Sequence, residues 1–271
     1  MLGLPDTEFS ETTGHEPDCL VYWYSNNVRI PGSATIPADM AQDEVTCVHQ
    51  AGAHDEAKEF PWHAPGTAPV FGACGTLGGW PLGCHGDSSG KFGDCCSGNC
   101  DGFALGKNAE EYSWPGEIPV TEWAGGSYQE VRWWVGANHA GGYSYRLCRM
   151  PAGGISQVTE KCFQQTPIEF VGDKQWVLYK ADGGNHGTGH RTEIAAKRTT
   201  EGTFPPGSMW TANPLWPHDE EGGSVGYGSG QVIDMLEVPV DLEPGEYVLS
   251  FRWDSKCSPQ VWASCSNIVI L

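Results

Sequence analysis

From residue 128 onward, apolar and polar positions alternate in short runs broken by turn residues. A period of two is the mark of a strand with one face buried. The runs predict strands at 128–135, 143–148, 167–171, 175–180, 191–197, 232–240, 246–253 and 260–270. GEYVLSFRW is a clear case, since a Pro-Gly pair precedes it and β-branched and aromatic residues fill it. In PQVWASCSNIVIL the alternation sets Gln260, Trp262 and Ser264 on one face and Val261, Ala263 and Cys265 on the other. Nearer the N-terminus, CLVYWYSNNVRI (19–30) reads as a strand ending at Pro31. Helical turns are expected only near 38–47 and 156–164. Many short strands with frequent turns predict an all-β, immunoglobulin/fibronectin III-like β-sandwich. One such domain is expected over 1–271, with 1–18 irregular.

Residues 61–107 break the pattern. CHGDSSGKFGDCCSGNC has too many glycines for a helix and too few apolar residues for a core strand. It reads as a long loop insertion stapled by disulfides. Its Cys/His content invites zinc, but the spacing matches no common finger. The chain has 11 cysteines, a density that fits an oxidising, extracellular setting. Cys148 and Cys162 bracket a short excursion and suit a mutual bond, whereas Cys257 and Cys265 either pair or point elsewhere. The N-terminus has no basic start, apolar run or cleavage pattern, so the expectation is that the true beginning lies upstream.

Composition narrows the partners. The 37 glycines and 19 prolines are spread along the chain as turns, and 12 tryptophans argue against disorder. With 15 basic and 34 acidic residues the net charge is -19. Nucleic acid and anionic membranes are repelled by such a surface, and a neutral or cationic partner is not. No apolar run is long enough to span a bilayer.

Between the strands at 128–135 and 143–148 lies GANHAGG, a loop of small residues around His139. That residue is either a solvated loop histidine or a metal ligand or general base at the rim of the sandwich. Three other motifs are weaker. GGSVG at 222–226 matches a nucleophile elbow in letters, but it lacks the strand before and the helix after. Asp182, Gly187 and Glu193 mimic a calcium loop whose other ligand positions carry Gly184 and His186. His186 and His190 are four apart, yet GGNHGTGH cannot hold a helix that would make them a metal pair.

The Gln260-x-Trp262 strand near the C-terminus resembles the Gln-x-aromatic strand of lytic polysaccharide monooxygenases. NHAGGYSYRLC resembles the loop that carries that family's second copper-binding histidine. HEPDCLVYWYSNN and PWHAPGTAPVFGACG are similar to stretches of such secreted proteins from microbial eukaryotes, and the likeness spans roughly 15–271. The resemblance implies a copper cofactor with His139 as a ligand. Trp262 would lie beside the axial position and Gln260 would hydrogen-bond oxygen species. His186 and His190 are candidates to support the ligands from behind. It implies oxidative cleavage of a neutral glucan or chitin by a secreted monomer, fed by an external electron donor. Imidazole suits copper, and a tryptophan in place of the usual tyrosine can shape that position but offers no oxygen.

The sequence departs from the family at residue 1, which is Met and not the histidine whose amine and ring complete the copper brace. His15 is the nearest upstream histidine. A non-catalytic carbohydrate-binding or cell-wall protein on the same fold is therefore the rival expectation, and a structural sandwich with an unrelated ligand is a third. Trp62, Trp80, Trp114, Trp210 and Trp216 are candidates either to stack on sugar rings or to pack beneath long loops.

Overall fold

The computed structural model describes residues 24–25, 36–42, 45–47, 61–70, 72–77, 107–111, 118–135, 138–179, 191–214, 224–225, 230–257 and 260–271. Four short strands come first: β1 (Tyr24–Ser25), β2 (Thr46–Cys47), β3 (Thr76–Leu77) and β4 (Lys107–Asn108). The body follows as β5 (Val120–Trp123), β6 (Tyr128–Val135), β7 (Gly142–Arg149), β8 (Pro167–Phe170), β9 (Lys174–Tyr179) and β10 (Arg191–Ala195). It is completed by β11 (Arg198–Thr199), β12 (Trp210–Ala212), β13 (Ser224–Val225), β14 (Gly230–Glu237), β15 (Gly245–Asp254) and β16 (Gln260–Ile270).

Two sheets form a sandwich. In the first, β16, β15 and β7 run antiparallel side by side, with β12 and then β11 beyond β7. The far side of β16 pairs with β1 at its start and, in parallel, with β5 at its end. The second sheet is β6–β14–β9–β10. β8 joins the two: Pro167 and Ile168 pair with β7, while Glu169 and Phe170 pair with β14. Strands that change sheets at a corner are a familiar way to close such a core.

The core follows from the period of two. Tyr143, Tyr145 and Leu147 of β7 and Tyr247, Leu249, Phe251 and Trp253 of β15 meet Val131 and Trp133 of β6 and Val232 and Leu236 of β14. Each such side chain, removed from water, contributes about 1.5–3 kcal/mol. The opposite faces of β7 and β15 are buried as well. Residues 61–77 and a short helix, α1 (Glu160–Phe163), cover them. Phe163 and Val158 pack on Cys148 and Val248, and Ala64 and Ala68 pack on Val261.

That second layer is held by charge. Arg252 is fully buried and donates from Nε and Nη2 to both carboxylate oxygens of Asp254, at 2.7 and 3.1 Å. Its Nη1 donates to Glu160 Oε1 at 2.8 Å, and its Nη2 also donates to the Ala68 carbonyl at 2.9 Å. Arg146 donates to the same Glu160 oxygen, and the Gly66 N–H donates to Asp254 at 2.8 Å. Buried charges persist only when paired and hydrogen-bonded in this way.

The 128–135 and 260–270 strands have the predicted bounds, and the other six predicted strands shift by one to three residues at their ends. Helical turns occur at Ala38–Met40, Ile155–Gln157 and Glu160–Phe163, as expected, with further turns at Pro61–His63 and Ala109–Glu111. The pattern did not announce β2 to β5 or β11 to β13, and β2 stands where the expected helical turn near 38–47 would end. Of the predicted strand at 19–30 only Tyr24–Ser25 is described.

Cys148 bonds Cys162, as the spacing suggested. Cys265 bonds Cys74, so it does not pair with Cys257, which is itself disulfide-bonded. Within the insertion, β3 pairs antiparallel with β4, and residues 78–106 between them lie outside the described residues. Among the described residues no helix is long and apolar enough to cross a membrane.

Candidate functional site

His139 lies in the loop between β6 and β7. Ala140 and Gly141 after it both take positive φ, +52° and +85°. A non-glycine residue in that region costs roughly 1–2 kcal/mol, so the surroundings must hold it. They do. Trp253 Nε1 donates to the Ala140 carbonyl at 2.7 Å. The Ala140 N–H is accepted by the Asn138 side chain at 3.0 Å, and Asn138 donates to the Pro214 carbonyl at 2.9 Å. The side-chain oxygen of Gln42 accepts from the Gly141 N–H at 2.6 Å. The Asn213 N–H donates to the Gly141 carbonyl at 2.8 Å. Finally, the His139 carbonyl accepts from the N–H groups of Lys256 and Cys257 at 3.3 and 2.9 Å.

The loop is therefore fixed by contacts from three separate parts of the chain, around Gln42, Asn213 and Trp253–Cys257. A histidine carried on it is held in place, unlike a histidine on an open solvent loop.

The ring of His139 is partly exposed and meets two indoles. It stacks on Trp262 with ring centres 6.1 Å apart and planes at 24°, and it lies 6.1 Å from Trp253. The two indoles stack on each other at 5.3 Å, because Trp253 and Trp262 are cross-strand partners in the β15–β16 hairpin. Such pairs are a main source of register in antiparallel sheets.

The structure thus brings His139 and Trp262 together. Gln260 opens β16 two residues before Trp262, opposite Ser25 of β1, and its side chain lies outside what is described. His186 and His190 fall outside the described residues, as do Trp80, Trp114 and Trp216. Trp62 and Trp210 are each 1% exposed and pack with Met40 and Ala212, so they are core residues rather than sugar platforms. Ser224 sits in a two-residue strand parallel to β2, and the residues on either side of that strand lie outside the described residues. Glu193 lies on β10 and pairs with Lys174, while Asp182, Gly184, His186 and Gly187 of the same motif lie outside the described residues.

The part of this end that the pattern missed is Gln42, Asn138 and Asn213. Each is buried and polar, and each satisfies loop backbone. Their sequence contexts carry no periodic signal, so only the three-dimensional arrangement shows their task.

Among the described residues no group of three or more His, Cys, Asp or Glu side chains converges as a metal would require. His139 can contribute one imidazole nitrogen, and a copper brace needs three nitrogens. Of the three nitrogens, the described residues can offer that one.

No protein-family model and no curated protein matches the sequence. Among solved structures the chain is similar to a cellulose-active lytic polysaccharide monooxygenase determined with copper, at 14% identity and a TM-score of 0.27, over 56% of this chain and 53% of that one. It thus spans about half the length of that enzyme. It is also similar to the collagen-binding subdomain of the Enterococcus faecalis surface protein ACE, at 9% identity and a TM-score of 0.23, over 59% of this chain and 98% of that one. A third likeness is to the collagen-binding domain of a Staphylococcus aureus adhesin, at 10% identity and a TM-score of 0.21, over 52% of this chain and 87% of that one.

Proposed function

We propose that this chain is an extracellular, polysaccharide-acting β-sandwich of the lytic polysaccharide monooxygenase type, with His139 as a copper ligand. The observation that carries this reading is the rigid presentation of His139 with its ring stacked on Trp262, the aromatic of the Gln260-x-Trp262 strand. A loop that serves only to connect two strands needs neither the left-handed pair after the histidine nor the buried amides that satisfy it.

The chain's own residues have distinct tasks here. The carbonyl of His139, tied to Lys256 and Cys257, sets the direction of its side chain. Trp262 bears on one face of the imidazole and Trp253 closes the side toward the core, so the ring has little freedom to turn. The aromatic surface around the ring keeps water from part of it and offers an apolar face to a pyranose ring. Gln260 is the hydrogen-bonding group of the reading. Copper, when bound, would supply one-electron activation of dioxygen or hydrogen peroxide. The disulfides of the fold fit the oxidising setting in which such chemistry takes place.

The rival reading is a non-catalytic binder of neutral polysaccharide that uses the same end. It is favoured by the lack of a converging metal-ligand group among the described residues. One experiment separates the two. The protein is produced in its native host, loaded with copper, and incubated with cellulose or chitin and a reductant, and the soluble sugars are analysed by mass spectrometry. Oxidised oligosaccharides that vanish in His139→Ala support the monooxygenase. Retention on the polymer without any oxidised product supports the binder.

A further inference from the structure

Asp234 of β14 lies fully buried between the two sheets, with Val131 of β6 as its cross-strand neighbour. In the facing sheet, Tyr143, Thr211 and Arg198 stand side by side as cross-strand partners on β7, β12 and β11. The Tyr143 hydroxyl lies 2.7 Å from Oδ2 of Asp234 and 3.0 Å from Oε1 of Gln175. A hydroxyl has one hydrogen, and here it meets two oxygen acceptors. Both contacts are hydrogen bonds only if Asp234 carries a proton. The acid then donates from Oδ2 to the Tyr143 oxygen, and Tyr143 donates to Gln175.

The rest of the cluster is set for the other protonation state. Oδ1 of Asp234 and Nε of Arg198 are buried and make no hydrogen bond among the described residues. Nη2 of Arg198 stands 3.8 Å from Oδ1, just outside hydrogen-bond distance. It donates instead to the Lys174 carbonyl at 2.9 Å, while Nη1 donates to the Gly172 carbonyl and the guanidinium lies over Phe170. A carboxylate held in the core at that distance from its cation is costly, and closing the gap offsets the cost with a charge-assisted hydrogen bond.

We propose that Asp234 is a proton switch between the two sheets, whose ionisation draws Arg198 onto Oδ1 and moves the β11–β12 edge that holds the His139 loop.

When the O–H bond of the acid breaks, the proton leaves to solvent. Tyr143 turns its hydrogen from Gln175 to Oδ2, and Arg198 closes on Oδ1. Both partners lie close to the loop. Tyr143 follows Gly141 by two residues. Thr211, the cross-strand partner of Arg198, precedes Asn213 by two, and the Asn213 N–H donates to the Gly141 carbonyl at 2.8 Å. A shift of β11 and β12 therefore acts on a hydrogen bond that holds the left-handed turn after His139.

Among the described residues three titratable groups face Asp234: Tyr143 and Tyr145 of β7 and Arg198 of β11. Val131 of β6, Phe170 of β8 and Gln175 of β9 do not titrate. Burial, with the charge of Asp234 added, keeps both phenols well above their usual range, so they stay neutral. Burial also raises the Asp234 carboxyl to about 7, against the pull of the Tyr143 hydrogen bond and Arg198. The switch is thus neutral in acid surroundings and ionised in alkaline ones. That it regulates the site rests on the function proposed for His139. The coupling itself is measured without copper or polysaccharide, so either can fail alone.

The test is a pH titration of the full, disulfide-intact chain by nuclear magnetic resonance. The side-chain carbon of Asp234 and the backbone amides of Gly141 and Asn213 are followed together. They should shift with one common midpoint near pH 7. An ordinary imidazole titrates in this range too, so the series is repeated in His139→Gln, where the common midpoint should persist. Asp234→Asn should abolish the shift at both amides. Arg198→Gln should leave Asp234 titrating but remove most of the response at Gly141 and Asn213. An Asp234 midpoint near the usual 4, or no titration of Asp234 at all, would overturn the proposal in the wild-type chain alone. So would an Asp234 that titrates near 7 while the two amides stay still, or amides that shift as before in Asp234→Asn.

Discussion

Gly141 stands between the His139 loop and the first residue of β7, and its backbone leaves no room for a side chain. A Cβ there would sit 2.1 Å from the Asp254 carbonyl oxygen, and φ is +85°. Gly141→Ala should therefore destabilise the protein by more than about 2 kcal/mol, since the left-handed cost alone is roughly 1–2 kcal/mol and a backbone clash is added. Chemical denaturation checks this, and the stacking of His139 on the indoles should be lost with it.

Asp234 gives a second prediction at this scale. Burial raises its folded-state pKa from 3.8 to about 7, so the folded chain holds a proton that the unfolded chain releases. Stability should then fall as pH rises from about 4 to about 7, by up to about 4 kcal/mol. Asp234→Asn should flatten that slope in urea melts taken across the range.

At the scale of elements, β7 and β15 show what alternation can and cannot reveal. Ser144 and Arg146, and likewise Ser250, Arg252 and Asp254, occupy the positions that a half-buried strand gives to solvent. Yet all five are at most 3% exposed. The sequence placed them on the right face and could not say what covers it. The cover comes from residues 61–77 and α1, distant in sequence, and the charges that look like a solvent face are the bonds that hold it down.

Glu160 is the hinge of this set. Burial would raise its pKa, but Arg146 and Arg252 outweigh that and lower it from 4.5 to about 2. Its stabilising contribution is thus present above about pH 4.5 and is lost as pH falls toward 2. Glu160→Gln should cost about 3–5 kcal/mol at neutral pH, because it leaves two buried guanidiniums short of a partner. It should also flatten the acid limb of a thermal-melt profile.

Disulfides give the second element-level test. The Cys148–Cys162 bond closes a sequence separation of 14 and should contribute about 3 kcal/mol, while the Cys74–Cys265 bond closes 191 and should contribute more, roughly 5 kcal/mol. Paired Ser substitutions and calorimetry check the order. Face parity alone already set Cys265 on the side away from Trp262, but its partner lay outside any local pattern.

For the whole molecule, the fold was legible because strands with one buried face advertise themselves. The sandwich follows from eight such runs with no competing helical period. The candidate site was half legible. His139 and the Gln260-x-Trp262 strand stood out by residue type and spacing, and the structure brings His139 and Trp262 into contact. The supports of the loop were silent, since a buried amide bonded to backbone leaves no periodic trace.

The surface charge makes its own prediction. If the proposed polysaccharide reading holds, a chain with net charge -19 should bind cellulose or chitin with little dependence on salt, and in any case it should be repelled by polyanionic pectin most strongly at low ionic strength. Pull-down on the three polymers across a salt series measures this directly.

The most direct test of the account is the affinity of the natively produced protein for copper, measured by titration calorimetry with and without the His139 ring. The account predicts one high-affinity copper per chain, weakened at least about a hundredfold by His139→Ala, which is close to 3 kcal/mol of binding free energy. Equal affinity in the two proteins, or no copper binding in either, would contradict it.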